Sequence, residues 1–502
     1  MSSPPASSPP APSPSAPSPS APSPSASQHA PSPSASQHAP SPQQPPTAAG
    51  FTARLKNALV ADPAARFVYV NNFEVERVWG LDEPRLPGTG LSFSSATVNR
   101  IEEVGVLLAD EHDAVVLKSA VDPGYAEYLD ALGAAEGVHL TVDHNVPDRS
   151  VTVDALESPR LLEALRALAD GRTYLMPLGI SPDEERLAEA AGLPLAGPGA
   201  AVCKEVNGKI FSRELVDAAG LTAVPGAVCR TVEELAAALD THLVRAGTPV
   251  VVKESLGVSG RGMVVLEDAG RGERLLRMIE RRAGADRRVS VVVERWIDKQ
   301  ADLNYQFVVG RDGGVTFETV KTALTENGVH RGHLFPPDLR PDQIGELRVA
   351  ADVIGKELAA AGYFGLVGVD ALLAADGTLY PCLEINARFN MATYQNRVSE
   401  RLIQDGQYAL ATTFDLRPSR AYGFGEVRAA LGDLLLDSVP EAGARGRGGV
   451  LVNNFATLNA MLLAEGKPYG RLYAICVGED EQDVRRTRER AETLLNEMVA
   501  TP

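Results

Sequence analysis

The segment "GLVGVDALLAADGTLYPCLEINARFN", Gly365 to Asn390, places two apolar runs around Asp376-Gly377 and reads as a β-hairpin. A strand sends alternate side chains to opposite faces. In the second run Glu384, Asn386 and Arg388 therefore share one face, and Leu383, Ile385 and Ala387 share the other. One face packs; the other carries a carboxylate, an amide and a guanidinium. A three-residue loop over 375–377, with Gly377 left-handed, puts Asp370 opposite Cys382, on the face of Glu384 and diagonal to it. A two-residue loop would turn Asp370 to the wrong face, because one step of register flips every side chain. Pro381 predicts a bulge or a sheet edge in this strand.

Asp370, Glu384 and Asn386 then make a compact set of oxygen donors. Hard oxygen ligands with an open coordination sphere suit Mg²⁺, which is bound by one or two carboxylates together with substrate phosphates and water. The competing reading is a salt-bridged surface with Arg388 as counterion. What lies upstream favours the metal.

Lysine is scarce, with nine among the 48 basic residues. Lys253 closes the apolar run "PVVVK" and is followed by "ESLGVSGRGM", after which "VVLE" resumes a strand. Glycines let backbone N–H groups approach phosphate oxygens, and a lysine at the base of the loop adds a point charge. In a P-loop or dinucleotide fold such glycines open a helix, whereas here they join strand to strand, as a hairpin flap does. An ordinary glycine-rich turn fits the loop taken alone.

Farther on, "RVSVVVERWIDKQADLNYQFVV" is an apolar strand that breaks at Glu294, Arg295 and Trp296 before another begins near Asn304. Backbone at such a break can pair with an adenine edge, and Asp302 can accept from ribose hydroxyls. "TFETVKTALTENGVHRGHLFPPDL" places Lys321 in a strand and follows it with a polar loop holding His330, Arg331 and His333. Two histidines and an arginine within four residues suit a ligand-facing loop.

The remaining chain supplies the setting. Residues 1–50 are Pro, Ser and Ala with a repeated "ASQHAPSP", and are expected to be a disordered tail. Residues 51–198 alternate apolar strands ("RFVYVNNF", "DAVVLKS", "RTYLMPLG") with helical patterns, which suggests a parallel α/β layer. In "GPGAAVCKEVNGKIFSRELVDAAGLTAVPG" a turn leads into one amphipathic helix closed by Gly220. Residues 199–410 would form the nucleotide and metal domain, and 411–502 a small α+β portion. The string Val-Asn-Asn-Phe occurs at Val70 and again at Val452.

Across 502 residues the formal net charge of -17 argues against a protein that tracks a nucleic-acid backbone. No run approaches the roughly 18 apolar residues of a membrane span. The four cysteines show no CxxC spacing, so neither a zinc site nor a disulfide framework is indicated. The N-terminus lacks the pattern of a secretory signal, and a cytoplasmic protein acting on small molecules is expected.

Taken in order, Lys209 in "NGKIFSRELVDAAGL", Lys253 with "GVSGRGM", the "VVVERWI" hinge, Lys321, "GVD" and "EINAR" resemble the ATP-grasp ligases over about residues 200–400. The regions on either side resemble the peptide ligases of pheganomycin-type antibiotic biosynthesis. The resemblance implies an α/β and α+β multidomain chain: an N-terminal α/β pre-ATP-grasp domain, an ATP-grasp fold and a small C-terminal α+β portion. It implies that Lys209 and Lys253 contact ATP, with Gly257, Ser259, Gly260 and Gly262 folding over its phosphates. Glu294 and Trp296 would lie at the adenine, Asp302 at the ribose, and Lys321 at the phosphates.

It further implies that Asp370, Glu384 and Asn386 hold two Mg²⁺ ions, with Mn²⁺ as an alternative, and that Arg388 stabilises the transferred phosphoryl group. His330, Arg331, His333 and Asn390 are the candidate substrate contacts. The implied reaction activates a carboxylate as an acyl phosphate and joins it to the amine of an amino acid or peptide, releasing ADP and phosphate. A carboxylase-type subunit and a non-catalytic nucleotide-binding regulator are the alternatives, and a homodimer is left open. Many family members carry a second lysine four residues after the first; Arg213 stands there in this chain.

Overall fold

The apolar runs between residues 66 and 177 become β1 (Arg66–Val70), β2 (Ala114–Leu117), β3 (Val138–Thr141) and β4 (Thr173–Pro177). They pair in parallel in the order β3-β2-β1-β4. These coordinates come from a computed structural model, which describes residues 50–88, 95–134, 136–257, 262–282, 284, 286–326, 329–438 and 447–500. The Pro/Ser tail, up to residue 49, and the flap residues Ser259 and Gly260 lie outside the described residues. Strand β3 was not expected from the sequence. Its two middle residues are half-buried and its end residues exposed, so it offers no apolar run to read.

A second sheet, antiparallel in the order β5-β8-β6-β7, follows. It comprises β5 (Gly226–Thr231), β6 (Val250–Glu254), β7 (Met263–Leu266) and β8 (Arg288–Arg295). Val250, Val252, Val291 and Val293 point into its core against Leu235 and Leu239 of the Val232–Leu239 helix. Strand alternation then sends Val251 and Lys253 to the other face, where Glu294 is paired opposite Val251. The glycine loop does join strand to strand, and β8 runs on through Arg295, so the break falls at 296–298. In place of one helix ending at Gly220 there are two, Ala200–Val206 and Lys209–Ala218, split at Asn207-Gly208. Gly220 lies one residue past the cap of the second, at φ +66°.

The third sheet has eight strands in the order β13-β12-β9-β10-β11-β14-β16-β15. They are β9 (Lys299–Val309), β10 (Val315–Glu326), β11 (Val329–Phe335), β12 (Gly365–Ala374), β13 (Leu379–Asn386), β14 (Tyr408–Leu416), β15 (Gly449–Asn454) and β16 (Gly470–Gly478). A boundary at 410 would cut β14, and the 411–502 segment adds its strands to this sheet rather than building one of its own. Strand β9 shows what holds the layers together. Leu303, Tyr305 and Phe307 are buried on the side of the Pro341–Ala360 helix, whose Gly355 would place a Cβ 3.3 Å from the Phe307 ring. Asn304 and Gln306 face the opposite side, where the Met391–Leu402 helix lies.

The polar loop expected at 330–333 is instead strand β11, paired with β10 and β14. Its histidines and arginine hid a strand because its apolar content is low, yet backbone pairing on both edges holds it extended.

The second Val-Asn-Asn-Phe copy ends β15 beside the 3₁₀ helix Ile101–Leu107. There the Glu103 carboxylate accepts from the backbone N–H of Phe455 (3.0 Å) and Ala456 (2.7 Å). Burial raises its pKa from 4.5 to about 7 despite Arg100 and these donors. A carboxyl that holds its proton more tightly when folded stabilises fully below its unfolded pKa, and this contribution is lost as pH rises through the folded value. The urea midpoint should therefore fall between about pH 4.5 and 7. Glu103→Gln should flatten that slope, and an unchanged slope in the variant would assign it to another group.

Candidate functional site

The hairpin of β12 and β13 supplies the acids. Gly377 is left-handed at φ +87°, and Ala374 pairs with Thr378 around a three-residue loop, as expected. From that loop an unbroken register would set Asp370 opposite Cys382. The ladder instead pairs Leu372 with Tyr380 and Asp370 with Glu384, so two steps on β12 face four on β13. The extra residues bulge at Pro381, which cannot donate to the ladder. Because the slip is two residues and not one, the face is kept, and Asp370 moves from diagonal to directly opposite Glu384.

One row now crosses four strands on a single face: Lys321 pairs with Asn304, Asn304 with Asp370, and Asp370 with Glu384. Asp370 accepts from Asn304 (2.8 Å) and from Asn386 (3.2 Å). Burial, then repulsion from Glu384, pushes the Asp370 carboxyl up to about 6, against these amides and the Lys209 charge. Lys209 opens the Lys209–Ala218 helix and donates to Glu384 Oε1 (2.7 Å) and to the carbonyl of Gly257 (2.9 Å). Ser212, one turn on, accepts from the backbone of Ile385 and ties the same helix to β13.

Lys253 reaches Glu294 at 2.6 Å on the inner face of the second sheet. Burial works against the Lys253 charge, yet Glu294, Glu384 and Asp370 together hold its pKa above the ordinary lysine value. Lys253 of the second sheet and Lys209 at its helix N-terminus thus both lie in the field of the Asp370–Glu384 pair on the third sheet. Arg213 does not take the part of a free lysine: it binds the carbonyls of Val224 and Gly226 and lies 3.7 Å from Glu294. Trp296 is 45% exposed, and its backbone N–H donates to Pro249. Asp302 lies two residues before Asn304, on the same face, between Lys299 and Thr325. Gly262 directly precedes β7, and a Cβ there would come within 2.7 Å of the Glu254 carboxylate.

Arg388 follows β13. Its Nη2 donates to Asn386 Oδ1 (2.8 Å) and to the Glu76 carboxylate, and its Nη1 to the carbonyl of Phe389 (2.9 Å). Burial lowers its pKa to about 10. Between these groups runs a cleft lined by Glu76, Trp79, Asn207, Gly257, Glu384 and Asn386.

Lys321, His333 and Asn390 gather in a second cluster, beneath the Met391–Leu402 helix. Lys321 is 2% exposed and donates to Ala392 O, Gln395 and Asn396, with no carboxylate among these acceptors. Burial holds its pKa well below the ordinary value. His333 meets Gln395 at 3.3 Å and His330 at 3.2 Å, and burial keeps it far below the usual histidine pKa, so it is neutral. Asn390 is the N-cap of that helix: its side chain accepts from Ala392 N (3.0 Å) and from Gln306 (2.7 Å). A Cβ on Gly368 would lie 2.3 Å from the Asn390 amide, which is why "GVD" begins with glycine. The exposed Arg331 shares β11 with the histidines.

Sequence reasoning missed Glu76, Trp79, Asn207 and Asn304. Asn304 was detectable, since Asn304 and Gln306 alternate with apolar residues in β9. Glu76 was not, because 312 residues separate it from Arg388.

Residues 102–193 match the family model of the pre ATP-grasp domain, and residues 218–388 that of the ATP-grasp domain. The chain belongs to the ATP-grasp family. The acyl-carrier-protein–L-glutamate ligase of butirosin synthesis from Niallia circulans is 30% identical over 208 residues, 40% of this chain and 48% of that protein. The formate-dependent phosphoribosylglycinamide formyltransferase of Solidesulfovibrio magneticus is 25% identical over 293 residues, 57% of this chain and 71% of that one. The chain spans about half the length of the first of these ATP-grasp relatives. The biotin carboxylase domain of Hydrogenobacter thermophilus 2-oxoglutarate carboxylase, solved with MgADP and bicarbonate, has the same fold. It aligns at a TM-score of 0.50 and 17% identity, over 86% of this chain and 90% of that one.

The donor set fits the Mg²⁺ that the ATP-grasp fold implies. Among the described residues no three His, Cys, Asp or Glu side chains converge, so the set is two carboxylates and an amide. The repulsion that Glu384 exerts on the Asp370 carboxylate is relieved by a cation, and Mg²⁺ completes its sphere with phosphate oxygens and water.

Proposed function

We propose that this ATP-grasp protein is a carboxylate-amine ligase, which activates an amino-acid-type acid with ATP and joins it to the amine of an amino acid or peptide. The observation that carries the reading is the facing arrangement of Lys209 and Lys253 across Asp370, Glu384 and Asn386, with Arg388 next in line. The relative named as a ligase of L-glutamate and an acyl-carrier protein supports the amino-acid half of the reading. Bound Mg²⁺, held by Asp370, Glu384 and Asn386, would neutralise phosphate charge. Lys209 and Lys253 orient the phosphates, while Glu294, Trp296 and Asp302 flank the nucleoside.

In this reading a carboxylate oxygen of the acid attacks the γ-phosphorus and ADP departs. Arg388, a fixed planar fork, binds the oxyanion of the acyl phosphate. The ammonium gives up a proton to solvent, its nitrogen attacks the carbonyl carbon, and phosphate leaves with the bonding electrons as the nitrogen of the new amide releases its second proton to water. Holding both reactants in one cleft supplies orientation that free solution lacks.

The test is incubation with ATP, Mg²⁺ and pooled amino acids and peptides, with nucleotide products separated and new amides identified by mass. ADP, phosphate and a new amide are expected. AMP and pyrophosphate would replace the reading with adenylation, and tight ATP binding without turnover would favour a regulator.

A further inference from the structure

We propose that Glu76 forms the subsite that receives the ammonium group of the amine substrate. The inference rests on the ligase reading above and deepens it. Glu76 lies on the Val75–Trp79 helix, directly after β1, and is the one cleft acid outside the Asp370–Glu384–Asn386 set among the lining residues. Its carboxylate crosses from the N-terminal sheet region to the Arg388 guanidinium, and both side chains are largely withdrawn from water, at 21% and 13% exposed.

Arg388 Nη2 is shared between Glu76 and Asn386 Oδ1. When the acid substrate presents its carboxylate, and later its phosphoryl group, that anion must take over the guanidinium. Glu76 is then left as a carboxylate in a partly desolvated cleft without its counterion, which is unfavourable until another cation arrives. The neighbouring Lys209 is committed elsewhere, to Glu384 and Gly257 in the ligand-free chain and to the ATP phosphates in the proposed reaction. A primary ammonium is the cation that the reaction itself brings to this place. Displacement of Glu76 from Arg388 by the acid thus creates the amine subsite, and the acid binds before the amine.

The helix is rigid enough to present a subsite. Trp79 is buried, its Nε1 donates to the carbonyl of Ile180 (3.0 Å), and its ring packs on Gly179, where a Cβ would sit 3.1 Å from it. Such support fixes the carboxylate one turn away before any ligand binds.

The test compares two nucleophiles on the acyl phosphate: the pooled amino acids and peptides, which are ammonium ions at neutral pH, and hydroxylamine, which is uncharged there. In Glu76→Gln, hydroxamate formation should stay within about threefold of the parent. Amide formation should fall about 30-fold or more, through the KM of the amine, and Glu76→Asp should recover part of it. Retained hydroxamate formation shows at the same time that the variant is folded. Equal loss with both nucleophiles would reduce Glu76 to a support for Arg388, and no loss with either would remove it from the amine subsite; each outcome overturns the inference. No hydroxamate from the parent chain would instead overturn the ligase reading, and the inference with it.

Discussion

Arg388→Ala should lower the rate of ADP release about 10³-fold while leaving ATP affinity within a few-fold, since a fixed guanidinium at a transferring phosphoryl group supplies stabilisation of that order. Arg388 touches Asn386 and Glu76 rather than the lysines at the nucleotide side, so its removal acts on the reacting centre. Arg388→Lys should not restore the rate, because an ammonium cannot hold Asn386 and an oxyanion with the planar spacing of the fork. Single-turnover measurement of ADP formation, with binding of a non-hydrolysable ATP analogue followed by calorimetry, checks both halves. A variant within tenfold of the parent would remove Arg388 from the phosphoryl site.

Gly332→Ala should lower the free energy of unfolding by about 3 kcal/mol or more, or prevent folding. Gly332 has φ +153°, and a Cβ there would lie 1.9 Å from the carbonyl oxygen of Ala411 and 3.0 Å from its carbon. The overlap is with backbone, which cannot swing aside as a side chain can. It falls on the β11–β14 seam, where His333, Leu334 and Phe335 pair with Ala411, Leu410 and Ala409. That seam joins the strands that carry the candidate site to those of the C-terminal segment. Gly345→Ala, in the Pro341–Ala360 helix with open space at the Cβ position, should raise stability by up to about 1 kcal/mol. Urea midpoints of the two variants should therefore move in opposite directions, and a Gly332→Ala midpoint equal to the parent's would mean the β11–β14 seam is not held as described.

Gly377 and Gly332 show where local reading ends. Gly377 was legible because a left-handed glycine in a hairpin turn is a matter of four consecutive residues. Gly332 was not, because the group that excludes a side chain belongs to a strand some 80 residues later in the chain. The misread loop at 330–333 has the same origin: only pairing with β10 and β14 makes "HRGH" a strand.

Period-two alternation determined, from sequence alone, that Glu384 and Asn386 share one face; Arg388, expected on it too, lies past the end of β13 and reaches Asn386 through its side chain. The glycine spacing determined that the flap joins strand to strand, and the order of lysines and acids pointed to the ATP-grasp pattern. Each of these is a property of a short stretch of backbone. Tertiary structure alone decided the rest. The bulge at Pro381 moved Asp370 directly opposite Glu384, and packing beneath the Met391–Leu402 helix took Lys321, His333 and Asn390 into a buried polar cluster. The fold also brought Glu76 to Arg388 across 312 residues. Contacts of that span depend on which surfaces meet, and no local pattern encodes that.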